Sequence, residues 1–298
     1  MKKISLFIGM LFVIIACSSN TKTYTYPSQP EKIGKTKTIV FIHGLYLTSF
    51  SWEEWKKYFE AKGYKVYTQP YPYLEDSAEI IRKRQPDKNL TNLKLNALKE
   101  HYKKFLSTLN EKPILVGHSL GGLMAQMLLN EGLASGAIAI DSAPPNGIVS
   151  KATALFAHGY AFVKNGMPFI SPFASDDEAV QMTEEKFKSE FANGISEPLA
   201  KKLYNDYYIP ASRRLGKDTL TELANVDNNK PHAPLLLITG SIDRIIPTSV
   251  TKDNYSFYNE KSGILTMKEF KDKGHFIAAQ EGWQEVADYS LKWIEENR

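Results

Sequence analysis

Between Lys112 and Asn130 the chain passes from a short apolar run, Ile114-Leu115-Val116, to apolar residues at helical spacing, Leu120, Leu123, Met124, Met127 and Leu128. The first reads as a buried strand and the second as an amphipathic helix. The turn between them is Gly117-His118-Ser119-Leu120-Gly121, a G-x-S-x-G pattern. A serine on so tight a strand-to-helix turn needs neighbours without Cβ atoms two residues to either side, or the chain cannot bend. The turn lifts the Ser119 hydroxyl out of the sheet. It also aims the Leu120 N–H, at the positive end of the following helix, at negative charge forming beside the serine. A raised hydroxyl beside an oriented donor is what attack on a carbonyl requires. Ser119 is therefore a candidate nucleophile and Leu120 a candidate oxyanion donor.

The first residues read as an export signal. Met1-Lys2-Lys3 is basic, and Ile4 to Ala16 is a nearly unbroken apolar stretch of 13 residues, too short to span a bilayer as a helix. Ile14-Ile15-Ala16-Cys17 resembles the bacterial lipobox. That resemblance implies a lipoprotein signal peptide over 1–16, cleavage before Cys17, a diacylglycerol on its thiol, an acyl chain (such as palmitate) on the new N-terminus, and a lipid-anchored place in the bacterial cell envelope. Cys17 is the single cysteine of the chain, so no disulfide forms within one chain. Residues 17–37 are rich in Ser, Thr, Asn, Gln, Lys and Pro and read as a tether, whose last part, around Tyr24 and Tyr26, can be ordered.

Loss of Lys2 and Lys3 with the signal takes the formal charge from +4 to +2. With no Lys/Arg stripe interleaved with aromatics, this argues against a nucleic-acid partner. At 43% hydrophobic residues the rest of the chain can bury a full core as one domain, 38–298. No HExxH or clustered His/Cys pattern points to a metal, and no cofactor is expected.

The domain opens on Thr38-Ile39-Val40-Phe41-Ile42, a run typical of a parallel strand buried on both faces, ending in His43-Gly44-Leu45. Ser51 to Lys62 reads as a helix with Ser51 as N-cap and Gly63 as stop, its Trp52, Trp55, Tyr58 and Phe59 turned inward. Tyr64 to Thr68 is the next strand. Arg82-Lys83-Arg84 reads as a solvated helix face, and Leu90 to Leu109 as one long amphipathic helix. Gly136 to Ile140 is a strand leading into Asp141. Pro234 to Gly240 and Ile264 to Phe270 are further strands, and Trp283 to Glu296 is a closing helix. His101, His158 and His232 read as surface or loop histidines.

The order β-HG, α, β, α, β-GHSLG-α, β resembles the α/β-hydrolase superfamily. The second half meets its demand for an acid and then a histidine after later strands: Gly240-Ser-Ile-Asp243-Arg-Ile-Ile-Pro247 matches the G-x-x-D-x-x-x-P acid loop, and Gly274-His275-Phe276 the histidine loop. The resemblance covers 38–145 and 234–298. It implies an α/β-hydrolase fold, a mostly parallel sheet with helices on both faces, and a helical cap inserted at 147–231; because most of the short stretch between Cys17 and the first strand reads as tether, the family's opening hairpin is expected to be shortened or absent, leaving about six strands.

It implies roles as well: Ser119 as nucleophile, His275 as base, Asp243 as orienting acid, and the Leu45 N–H as second oxyanion donor beside Leu120. Asp141 is the rival acid, and His43 reads as a structural part of its loop. The cap's large apolar residues, among them Phe156, Tyr160, Phe162, Met167, Phe169, Phe173, Met182, Phe187 and Phe191, are expected to form mostly cap core, with some lining an apolar pocket over Ser119. Arg213-Arg214 reads as a solvated or salt-bridged pair, with a substrate-carboxylate role as the alternative. The expected activity is a membrane-tethered serine hydrolase of small-molecule esters with an apolar or aromatic acyl group, a carboxylesterase or lipase-like acylhydrolase. An acyltransferase or cofactor-free haloperoxidase-like enzyme could use the same triad. A surface lipoprotein that binds ligand without turnover is the reading from another class.

Overall fold

A computed structural model describes residues 22, 24–148 and 174–298. Six strands, all pairing in parallel, form one sheet in the order β2-β1-β3-β4-β5-β6. They are β1 Thr38–Ile42, β2 Lys65–Thr68, β3 Ile114–His118, β4 Gly136–Ile140, β5 Leu235–Gly240 and β6 Leu265–Phe270. The helices are α1 Glu53–Ala61, α2 Ala78–Lys83, α3 Lys88–Asn92, α4 Leu95–Leu106, α5 Leu120–Asn130, α6 Glu184–Lys186, α7 Glu197–Tyr207, α8 Arg213–Asp218, α9 Thr248–Phe257 and α10 Trp283–Glu296. This is the doubly covered parallel sheet expected from the sequence.

Side chains on a strand alternate between faces, and the four central strands divide their apolar residues accordingly. Val40, Leu115, Ala137 and Leu235 pack with α4 and α5 on one face. Ile39, Phe41, Ile114, Val116, Ile138 and Ile238 pack with α1 and α10 on the other, where Trp52, Trp55 and Phe59 are buried. Both faces are therefore dry, which is why these strands read as continuous apolar runs.

Several local expectations are corrected. Leu90 to Leu109 is two helices, because Leu93 is extended. The start of α4 has no local cap; its Leu95 N–H donates instead to Asp218 Oδ2 at 3.0 Å, and Ser212 Oγ donates to the Leu93 carbonyl at 2.7 Å. Ser51 sits within a 3₁₀ turn, Ser49–Trp52, and its hydroxyl donates to the Thr48 carbonyl instead of capping a helix. Arg82 is not a solvated face residue. Its guanidinium donates to the carbonyls of Tyr208 (2.6 Å), Asn205 (2.9 Å) and Tyr204 (3.3 Å), satisfying the orphan carbonyls that close α7. His232 is a loop histidine as expected, but a buried one, and its Nδ1 donates to the Ala233 carbonyl at 2.7 Å.

Residues 24–37, within the stretch read as tether, lie against the domain: Ile33 is buried and its N–H donates to the Asn297 carbonyl at 2.9 Å. Among the described residues no helix is long and apolar enough to cross a membrane.

The described part of the segment between β4 and β5, the stretch expected as a cap, contributes to a third apolar cluster. Met182, Phe187, Phe191 and Tyr208 pack there against Tyr46, Ile245, Ile246 and Phe276. Phe156, Tyr160, Phe162, Met167, Phe169, Phe173 and His158 lie outside the described residues. Arg214 pairs with Asp177 at 2.8 Å, and buried Arg213 donates to the Ser175 carbonyl at 3.2 Å.

Candidate active site

Every loop that brings a candidate side chain follows the C-terminal end of a strand, so the parallel sheet delivers them all to one edge. Ser119 joins β3 to α5 with φ 55° and ψ −118°, a positive φ that a non-glycine residue adopts only under constraint. The constraint is the glycine frame. A Cβ on Gly117 would stand 2.0 Å from the Gly121 carbonyl oxygen, and one on Gly121 would stand 2.1 Å from the Ile42 carbonyl oxygen. The helix start thus lies directly on the ends of β1 and β3, and only glycine fits. Gly121→Ala is expected to lower unfolding free energy by about 3 kcal/mol or more, measured by urea titration; a loss below about 0.5 kcal/mol would contradict the frame.

Asp243 and His275 meet below the serine. Asp243 Oδ2 accepts from His275 Nδ1 at 2.8 Å, while Oδ1 accepts the N–H groups of Ile245 (2.7 Å) and Ile246 (2.8 Å). A carboxylate only accepts, so Nδ1 carries the proton and Nε2 faces the serine as a lone pair. Ser119 Oγ donates to Nε2 at 3.1 Å. All three groups are buried, and His275 is fully so. The ring of Phe191, from the cap, stands edge-on to His275 at 4.9 Å. A base linked to a hydroxyl on one side and a fixed carboxylate on the other can remove the hydroxyl proton and return it to a leaving group.

The donors expected for an oxyanion are on segments that border the serine. Leu120 is the first residue of α5. Leu45 follows Gly44, and a Cβ on Gly44 would stand 3.3 Å from Ser119 Cβ. His43 holds that loop, as expected of a structural residue. It is fully buried, stacks on Tyr71 at 3.7 Å, accepts the Tyr71 N–H on Nε2 at 3.2 Å, and through its carbonyl accepts the Tyr71 hydroxyl at 2.5 Å. Burial pushes its pKa down to about 4.

That depression has a consequence for acid stability. As pH falls from about 6.5 towards 4, the unfolded chain protonates this histidine while the folded chain does not, so folding stability is full above 6.5 and is lost on the way down. The loss for His43 alone is on the order of 3 kcal/mol. Urea unfolding at neutral and mildly acid pH should show it, with a shallower dependence in His43→Gln; an identical dependence would contradict this origin.

Asp141 also lies in the site, but the two ring nitrogens of His275 are bonded to Asp243 and Ser119 and not to it. It is fully buried with φ 43°, and its Oδ1 accepts the Gly240 N–H at 2.8 Å. Burial, and then the Asp243 carboxylate beside it, push its carboxyl well above the usual range. Of the two candidate acids, the structure joins Asp243 to His275.

Two residues that the sequence reading passed over hold the site together. His118 Nε2 donates to the His275 carbonyl at 2.8 Å, tying the serine turn to the histidine loop. Its signal was available: it is the polar residue at the inner end of an otherwise apolar strand. Asn193, from the cap, donates to the Ile242 carbonyl at 2.6 Å, and a Cβ on Gly274 would stand 2.0 Å from the Asn193 carbonyl oxygen. His118, Asp141 and His275 have ligand-type atoms within 4.8 Å of one another. Both nitrogens of His275 and Nε2 of His118 already make hydrogen bonds, while His118 Nδ1 and Asp141 Oδ2 are buried without a hydrogen-bond partner among the described residues.

Comparison with known proteins agrees with this architecture. Among solved structures, the chain is similar to a monoacylglycerol lipase of Paleococcus ferrophilus at 20% identity and a TM-score of 0.62, covering 91% of this chain and 99% of that one. It is similar to a pyrethroid hydrolase of Sphingobium faniae JZ-2 at 16% identity and a TM-score of 0.62, covering 88% and 98%. It is also similar to tomato methylketone synthase I, solved with 2-tridecanone, at 15% identity and a TM-score of 0.65, covering 89% and 100%. At these identities the likeness speaks for the fold. No curated protein sequence matches. Residues 39–289, from the first strand to the closing helix, match the family described as the alpha/beta hydrolase family. With the parallel sheet, the serine turn and that match in agreement, the chain belongs to the alpha/beta hydrolase family.

Proposed function

We propose that this chain is a serine hydrolase of carboxylic esters, a carboxylesterase or lipase-like acylhydrolase that works through an acyl-enzyme on Ser119. The observation that carries the proposal is the hydrogen-bond chain from Ser119 Oγ through the His275 ring to Asp243. In the proposed reaction Ser119 Oγ attacks the ester carbonyl carbon as His275 Nε2 takes its proton. The oxyanion is held by the N–H groups of Leu45 and Leu120. Collapse breaks the bond to the alkoxy group, which leaves with the proton from His275 as an alcohol. Water then repeats the sequence on the acyl-enzyme, releasing the carboxylic acid and restoring the serine. Asp243 keeps the imidazole in its Nδ1–H tautomer and stabilises the imidazolium. The residues of this scheme supply every proton transfer, and no cofactor enters it.

Phe191 and Phe276 close to His275 support a small-molecule ester with an apolar or aromatic acyl group. The lipobox pattern supports a lipid anchor on Cys17 and a place in the bacterial cell envelope. Turnover of p-nitrophenyl esters of increasing acyl length tests the activity. The chain is expected to release p-nitrophenol from short and medium esters; a folded chain inert towards the whole series would count against the proposal.

A further inference from the structure

The segment ahead of β1 is laid along one end of the sheet. Tyr24 donates its hydroxyl hydrogen to Asp227, and Asn259 Nδ2 donates to the Tyr26 hydroxyl at 3.4 Å. Tyr26, Pro27 and Pro30 wall a cleft of about 360 Å³ together with His232 and Gly263. Ile33 packs on Gly136 (a Cβ there would stand 3.0 Å from the isoleucine side chain), and the Arg298 guanidinium donates to the carbonyls of Gly34 and Thr36. The strand-side partners share a position in the chain. Gly136 opens β4, His232 leads into β5, and Gly263 leads into β6. In an all-parallel sheet these are one pole. Leu45, Ser119, Asp243 and His275 follow β1, β3, β5 and β6 at the other. The six residues of β5 alone separate the two poles by about 20 Å.

We infer that the N-terminal anchor and the active site occupy opposite poles of the domain, so that Ser119 opens away from the leaflet holding Cys17 and receives esters from the aqueous side instead of lipids of that leaflet. The inference rests on the proposed lipid on Cys17 and on the proposed Ser119 chemistry. Chain length limits any escape from this orientation. The seven residues from Cys17 to Tyr24 cannot reach beyond about 25 Å even fully extended. A domain of this size is roughly 45 Å across. To present Ser119 to its own bilayer the domain would have to turn over on a leash about half as long as itself.

Lipidated full-length chain in phosphatidylcholine vesicles tests this. A fluorophosphonate carrying a donor dye marks Ser119, and a short-range acceptor dye marks the bilayer surface. Little energy transfer is expected, and a p-nitrophenyl ester with a long alkyl anchor embedded in the same bilayer should react at least about tenfold more slowly than its water-soluble short-chain counterpart, relative to enzyme dispersed in detergent, because a leash that cannot span two sites brings their effective concentration near zero. Inserting about 30 Gly/Ser residues after Asn20 adds roughly 30 Å of reach and should restore hydrolysis of the embedded ester. Efficient transfer and full turnover of the embedded ester with the native leash would overturn the inference.

Failure of its two supports is separately visible. Mass spectrometry showing Cys17 without lipid would overturn the natural anchor, and coupling a maleimide lipid to that thiol then reads the orientation alone. A Ser119 that takes no label would overturn the hydrolase reading and this inference with it.

Discussion

Ser119→Ala should hydrolyse a p-nitrophenyl ester about 10⁵–10⁶-fold more slowly than the unaltered chain, with melting temperature nearly unchanged. The substitution removes one oxygen from a turn held by other means. The Ser119 N–H donates to the Ile140 carbonyl and the Ser119 carbonyl accepts from Ala143, and both contacts survive. What disappears is the atom that donates to His275 Nε2 and that, in the proposed reaction, forms the acyl bond. Residues that act as one unit are not additive, so Ser119→Ala/His275→Ala should be scarcely slower than Ser119→Ala alone. Steady-state rates corrected for active-site concentration check both statements. A single variant retaining a tenth of the activity would remove Ser119 from the chemistry.

Asp243→Asn is expected to cost about 10⁴-fold in kcat while leaving the fold intact. Oδ1 accepts two backbone N–H groups, from Ile245 and Ile246, so the carboxamide must keep its oxygen there. Its NH₂ then faces His275 Nδ1, where the native carboxylate accepts. A donor at that place demands a lone pair on Nδ1, which moves the imidazole proton to Nε2, and a protonated Nε2 cannot take the proton of Ser119. Asp141 supplies the control. It stands beside Asp243 but bonds the Gly240 N–H, so Asp141→Asn should keep a far larger share of the activity than Asp243→Asn. Equal losses would show that the two carboxyls act as one acid. Full activity in Asp243→Asn would assign the orienting role elsewhere.

How much of this could be read from the chain depends on where each residue finds its partners. The strands were legible because β1, β3, β4 and β5 are buried on both faces, and burial on both faces writes itself as an unbroken apolar run. The serine loop was legible because its glycines answer to steric limits within the loop and at the adjoining strand ends, as the 2.0 Å approach of a Gly117 Cβ to the Gly121 carbonyl makes plain; Gly240 and Gly274 instead meet Lys273 and Asn193, so the other two loops were legible through the family pattern they match. Contacts between distant segments were not. The break between α3 and α4 depends on Ser212 and Asp218, more than a hundred residues later. Arg82 looked like part of a charged run because the carbonyls it binds, at the end of α7, carry no mark in its own neighbourhood. His118 was passed over because its bond to the His275 carbonyl joins two loops that meet only in the folded sheet. The segment before β1 reads as tether by composition with order expected around Tyr24 and Tyr26, which do find seats on the domain, whereas Ile33 is seated with no mark of it in its own neighbourhood.

The cap stands between these cases. Its aromatic content was plain in the sequence, and Phe187 and Phe191 do form a buried cluster with Phe276 beside the histidine loop. Which acyl group that cluster admits depends on shape as well as apolarity, and shape arises from the packing of segments that carry no common motif.

Peptide mapping after reaction with a fluorophosphonate shows which residue is the nucleophile. A single adduct on Ser119 is expected, with loss of esterase activity in step with its formation, no adduct in Ser119→Ala, and strongly slowed labelling in His275→Ala. A folded, unmodified chain that hydrolyses esters with Ser119 unlabelled, or one whose adduct forms on another residue, would contradict that expectation.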